Sequence, residues 1–191
     1  MKLKISFILF VIGICFGFTN YLYKSSTGAP ASHSGAPDEG TCAHSGCHDD
    51  RAINSGSAHL ELKLNQNKLE AGRIYTLSIY ISDQGINRFG FQLLALNQIG
   101  KTNSGEFILL DSVRTQIIRN HHKLKDRKYL TYTFNGTDTT KTEFAEWFVL
   151  WKSPENISGP VNFYLAGVAA NDDMTDKGDN VYTYSLSLTS K

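Results

Sequence analysis

Basic residues are not in excess. Lys and Arg number 19 against 18 Asp and Glu, a net charge of +1, whereas a nucleic-acid surface needs a basic surplus; no nucleic-acid partner is expected. Proline is scarce, with four residues in 191, and methionine scarcer, with two. No segment shows a long helical period, which removes helical bundles and coiled coils. A Gly-rich phosphate loop, a Ser-His-Asp set in recognisable context and paired carboxylates flanking a cleft are all missing, so the expectation is a protein without catalytic residues of its own. Cysteine is limited to Cys15, Cys42 and Cys47.

Long hydrophobic runs are missing too, apart from one at the N-terminus. Lys2 and Lys4 precede an apolar run, Ile5 to Phe18, of 14 residues. That suits the core of an export signal and falls short of the ~20 apolar residues a bilayer span needs. Ser6, Thr19 and Asn20 alone interrupt the stretch from Ile5 to Tyr23, so an uncleaved anchor over residues 5–23 is the alternative. Residues 1–23 are therefore read as a signal peptide or N-terminal anchor. The chain is read as exported: periplasmic, at the cell surface or secreted, touching a membrane only through that segment. Cys15 is read as part of the signal core, because bulky Ile14 precedes it where a lipidated cysteine wants a small neighbour. In an oxidising compartment free thiols rarely persist. Cys42 and Cys47 are thus expected to be bonded to haem, to each other or to a metal.

The stretch Cys42-Ala-His-Ser-Gly-Cys47-His48 sharpens that choice. Covalent haem c attachment needs two thiols, one for each vinyl group, and a histidine beneath the iron. The usual motif is C-x-x-C-H, and here the spacer is four residues. The Cys47-His48 adjacency places the proximal ligand and is intact; the spacer only has to span two vinyls. Two other readings stay open. A Cys42–Cys47 disulfide would close a small loop, although it does not explain the adjacent His48. A zinc or copper site could use Cys42, His44, Cys47 and His48. For haem, the sixth ligand is expected to be His59, with His33, His44 and Met174 as alternatives.

Residues 24–57 contain no Phe, Trp or Tyr and are rich in Gly, Ala, Ser and Pro. Such a segment cannot bury enough apolar surface to fold alone and needs a staple or a ligand to wrap. From Ala58 to Lys191 the pattern is one of strands. Leu60, Leu62 and Leu64 alternate with polar residues, as do Tyr75, Leu77, Ile79 and Ile81. Further runs follow over Phe89–Ala95, Phe107–Leu110, Val113–Ile118, Tyr129–Phe134, Trp147–Trp151, Val161–Leu165 and Val181–Leu188. Short β-rich runs separated by Gly, Asn, Asp or Pro predict an all-β fold, an antiparallel sandwich. Trp147 and Trp151 share one face of their strand and are expected in the core.

Thr27-Gly-Ala-Pro30, Gly40-Thr-Cys42, Cys47-His48, Arg88-Phe-Gly-Phe-Gln-Leu-Leu-Ala95, Gly105-Glu-Phe107, Trp147 to Pro154, Gly159-Pro-Val-Asn-Phe163 and Gly178-Asp-Asn-Val-Tyr182 occur in this order. Together they resemble the bacterial choice-of-anchor V family, whose sandwich is similar to the Reeler domain of reelin-like proteins. The resemblance covers roughly residues 27–188. It implies an immunoglobulin-like sandwich, export and a cytochrome-like haem motif ahead of the domain. Many members carry a C-terminal sorting segment; this chain ends at Lys191, so retention is expected to rest on the N-terminal segment. Many also carry Thr-His-Thr where this chain reads Thr131-Tyr132-Thr133. The function expected is c-type haem binding with electron transfer at the cell envelope or surface, to an unidentified redox partner. The alternative is a non-enzymatic Reeler-like binding or adhesion module with a Cys42–Cys47 disulfide.

Two charged clusters remain. Residues 171–180 hold four carboxylates, a density of oxygen ligands that can hold Ca²⁺, although the spacing is not that of an EF-hand and a solvated turn is the plainer reading. Residues 119–128 form a basic cluster that could meet an acidic redox partner or lipid headgroups; a charged hairpin loop is the plainer reading.

Overall fold

Alternation sets the strands. In a strand successive side chains point to opposite faces, and nine segments carry that pattern in the computed structural model, which describes residues 27–98, 102–139 and 141–190. They are β1 (His59–Leu64), β2 (Ile74–Ser82), β3 (Arg88–Asn97), β4 (Glu106–Leu109), β5 (Thr115–Arg119), β6 (Lys128–Tyr132), β7 (Phe144–Lys152), β8 (Val161–Ala170) and β9 (Asn180–Leu188). The expected run Tyr129–Phe134 stops at Tyr132, because Phe134–Gly136 makes a 3₁₀ turn. The expected export segment, residues 1–23, lies outside the described residues. Among the described residues no helix is long and apolar enough to cross a membrane.

The strands form two antiparallel sheets, ordered β1-β2-β7-β4 and β5-β6-β3-β8-β9. Facing each other they make the all-β antiparallel sandwich expected from the sequence. Its core interleaves Leu60 and Leu62 of β1, Tyr75 to Ile81 of β2, and Phe89, Phe91 and Leu93 of β3 with Trp147, Val149 and Trp151 of β7 and Phe163 and Leu165 of β8. Both tryptophans are fully enclosed, and each indole N–H is satisfied, Trp147 by the Gly136 carbonyl and Trp151 by that of Ser104, both at 3.0 Å. Buried indoles with paired N–H groups are core residues.

β3 and β8 depart from simple alternation. Eight consecutive residues of β3 are buried, and β8 is buried continuously from Leu165 to Ala169. A strand enclosed on both faces reads as a continuous apolar run. The second cover is the segment 27–57, which lies across the outer face of the five-stranded sheet. Ala36 packs on Leu94, Leu96 and Tyr129, and Cys42 packs on Ala166, Val168 and Val181. The segment short of aromatics therefore completes a core by borrowing the sandwich's second face.

Polar contacts pin it there. Gln92, fully buried on the outer face of β3, accepts from the His33 backbone N–H at 2.6 Å and donates to the Pro30 carbonyl at 2.8 Å. Arg127 turns inward from the basic hairpin, donating to the Pro37 carbonyl at 2.8 Å and lying 3.7 Å from the enclosed Glu39 carboxylate. Further along, Asn54 joins β9 through its backbone N–H to Val181 and its side chain to Thr183.

Candidate functional site

The spacer between the cysteines is folded into two successive turns. His44 N–H donates to the Thr41 carbonyl at 3.1 Å and Cys47 N–H to the His44 carbonyl at 2.9 Å. Gly46 takes the left-handed conformation, φ 82°, that the second turn requires. His48 N–H then donates to the Cys42 carbonyl at 3.2 Å, which returns the Cys47-His48 pair to the first cysteine. Four spacer residues thus cost the motif no compactness, since the extra length is taken up by turns.

Cys42, Cys47 and His48 line one cavity of about 460 Å³. It lies between their loop, the outer faces of β3 and β8, and the acidic loop before β9. Phe134, Val168 and Ala170 supply apolar wall; Arg88, Thr137 and Asp179 supply polar groups. His33 and the turn Gly28-Ala-Pro30 line it as well.

His48 is oriented from the far end of the chain. Its Nδ1–H donates to Asp179 Oδ2 at 2.6 Å, and Asp179 is 2 % exposed. The other oxygen of Asp179 accepts from the Asn171 backbone N–H at 3.0 Å. A carboxylate held in this way fixes the tautomer and angle of the imidazole and leaves Nε2 as the free, lone-pair-bearing nitrogen. Around it, Lys177 reaches Asp49 at 3.3 Å and Gly178 N–H reaches Asp50 at 2.8 Å, so the motif loop and the acidic loop are tied together. Gly46 N–H and Lys177 hold the Asp49 carboxyl below its usual range.

Both cysteines are free thiols. Burial pushes Cys42 up to about 12, with the neighbouring Cys47 adding to the effect. Cys47 is raised as well, by burial first and then by Asp49 and Asp176. They are neutral thiols at pH 7, not a ready-made pair of thiolates.

The motif in β3 acquires a division of labour. Phe89 and Phe91 point into the sandwich core, while Arg88, Gly90 and Gln92 point outward and build the site. Arg88 spans the rim, 2.6 Å from Asp172 and donating to Thr137 at 2.8 Å. Gly90 makes room for Tyr132: a Cβ there would stand 2.5 Å from the tyrosine ring. Tyr132 lines the cavity at the position where the resemblance carries a histidine, and burial, reinforced by Cys42 and Cys47, raises its phenol.

The structure does not bring His59 to this cluster. It stands on β1 with its neighbours Leu60 and Leu62 in the core, so its ring projects from the outer face of the opposite sheet. There it contacts Glu61 at 3.2 Å and the Tyr80 ring. The expected sixth ligand has to be sought elsewhere. The zinc or copper set is not assembled either: His44 is exposed, and among the described residues no three His, Cys, Asp or Glu side chains are grouped to hold a metal ion. The same holds for the Ca²⁺ alternative at 171–180, where the carboxylates diverge to Arg88 from Asp172, to the Thr175 N–H from Asp173, to Lys177 from Asp176 and to His48 from Asp179. Asp179 is the site residue that sequence reasoning missed. Its one signal was its place in Gly178-Asp-Asn-Val-Tyr182, directly before a strand.

No protein-family model and no curated protein matches the chain. Solved structures do. The Reelin-N domain of F-spondin superposes with a TM-score of 0.53 at 16 % identity, covering 75 % of this chain and 94 % of that one. The human F-spondin reeler domain (fragment 1) gives 0.52 at 17 %, covering 73 % and 94 %. At such identity the likeness is one of fold: the chain is a Reeler-like β-sandwich.

Proposed function

We propose that this is an exported c-type haem protein of the choice-of-anchor V type that transfers single electrons at the cell envelope or surface. The observation that carries the reading is the meeting of Cys42, Cys47 and His48 in one cavity, with His48 braced by a buried carboxylate. A disulfide staple has no use for an oriented imidazole; an iron ligand does. The residues present fit the cofactor. Two free thiols stand next to the anchored histidine, apolar side chains form much of the wall, and the volume falls within the ~300–1,000 Å³ of cofactor-sized pockets.

Haem bound here supplies one reversible one-electron couple. Cys42 and Cys47 would hold it by thioether bonds, and His48 would offer Nε2 to the iron. Asp179 keeps the proton on Nδ1 and fixes the angle of the ring. Val168 and Ala170 would give the group an apolar wall, and Arg88, paired with Asp172, bridges the rim. Export and envelope location rest on residues 1–23, which would also be the only contact with a membrane; the redox partner is a protein of the same compartment.

The test is purification from an exporting host competent in haem maturation. A red protein with a Soret band, whose colour survives denaturation and acid extraction, and whose Cys42–His48 peptide carries haem mass, is the expected result. A colourless protein with a Cys42–Cys47 bridge in its mass spectrum sinks the reading and leaves the binding or adhesion module.

A further inference from the structure

We infer that His33 is the second axial ligand, making the iron site six-coordinate with two histidines. This rests on the haem reading above.

His33 lines the same cavity as His48. Its Nδ1 lies 2.9 Å from the Pro30 carbonyl and 3.1 Å from that of Ala31. Carbonyls only accept, so Nδ1 carries the proton and Nε2 carries the lone pair. That is the tautomer a metal ligand needs, and the one Asp179 imposes on His48. The backbone is equally fixed. His33 N–H is bound to the fully buried Gln92 at 2.6 Å, and the same amide holds the Pro30 carbonyl that orients the ring. One β3 side chain thus sets both the position and the tautomer of His33.

The other candidates lack this preparation. His44 is exposed and meets the edge of the His33 ring at 5.6 Å without lining the cavity. Met174 lines it but is 93 % exposed at a left-handed turn position, φ 64°. His59 lies on the other sheet. Two histidine ligands leave no open iron position, so the site would carry electrons rather than bind small gases or peroxide. Its potential would be lower than with Met/His ligation.

The experiment uses the full-length holoprotein and four variants, His33→Ala, His33→Met, Met174→Ala and Tyr132→Phe. Covalent haem is quantified as the pyridine haemochrome, spin state by absorption and electron paramagnetic resonance, and the midpoint potential by titration. The expected wild type is low-spin and slow to bind carbon monoxide. His33→Ala should keep its covalent haem, turn high-spin, bind carbon monoxide readily and return to low-spin with added imidazole. His33→Met should give a methionine–iron charge-transfer band and a higher potential, which keeps the question answerable if the alanine variant folds poorly. Met174→Ala and Tyr132→Phe should remain low-spin. A high-spin wild type, an unaltered spectrum in both His33 variants, or loss of the low-spin state in Met174→Ala or Tyr132→Phe overturns the assignment while leaving haem attachment intact. A wild type without covalent haem overturns both.

Discussion

The outer face of the four-stranded sheet meets solvent, whereas that of the five-stranded sheet is roofed by residues 27–57. On the open side β2 and β7 alternate strictly, burying every second residue and leaving Ile74 and Phe148 about half exposed. On the roofed side β3 and β8 turn Leu94, Leu96, Ala166 and Val168 outward, and these are buried as fully as residues of the core. Both sheets obey the same rule toward the core. They differ in what their second set of side chains accepts: polar and scattered apolar residues on one face, small or aliphatic ones with a buried amide on the other. Small residues on β8 let the cysteine segment lie close, and the gap left beneath it is the cavity.

That comparison can be broken from either side. The largest effect is expected from a chain beginning at Ala58. Burying a large apolar side chain is worth about 1.5–3 kcal/mol, so uncovering Leu94, Leu96 and Val168 should cost on the order of 4 kcal/mol or more and promote aggregation; an unchanged urea midpoint would show that the roof is dispensable. Next comes Gln92→Ala, which strands the His33 N–H and takes one of two donors from the Pro30 carbonyl. Groups left unpaired in this way cost about 1–3 kcal/mol, measurable by urea unfolding, with faster proteolysis between residues 27 and 57 while the sandwich stays intact.

A smaller, pH-dependent effect is expected at Glu39. Burial raises its carboxyl above 4.5, and Ser34, Tyr129 and Arg127 pull it back only in part. The folded chain therefore favours the neutral carboxyl. Its contribution to stability is full below pH 4.5 and is lost as pH rises through the raised value. Unfolding curves of wild type and Glu39→Gln should diverge in that window, wild type losing ground as pH increases; parallel profiles would mean that Arg127 fully compensates the burial. The smallest effect belongs to the open face. His59→Ala should change stability by no more than about 0.5 kcal/mol and leave any haem spectrum untouched.

The sandwich was legible because its strands advertise themselves. Leu60, Leu62 and Leu64, or Tyr75 to Ile81, alternate with polar residues and are bounded by turns. The run from Phe89 to Ala95 was legible as a strand but not as a doubly covered one, since a mostly apolar run does not say what lies on each side. At the site, Cys42, Cys47 and His48 could be picked out because their relation is local. His59 was drawn in by closeness along the chain, yet Leu60 beside it faces the core and a strand sends neighbours to opposite faces. His33 lies earlier in a segment with no periodicity to place it, and its position is decided by Gln92. Asp179 was hidden for the plainest reason, since nothing in an acidic turn shows which carboxylate faces inward.

The His48–Asp179 contact joins residues 131 positions apart, and that separation sets an order of events. Synthesis from the N-terminus delivers both cysteines and His48 long before the aspartate that braces the ring. During that interval Cys42, 6 % exposed once folded, is still accessible. Docking of β9 brings Asp179 into place and closes the interval. On the proposed reading, cofactor attachment can come early, whereas alignment of the ligand waits for β9.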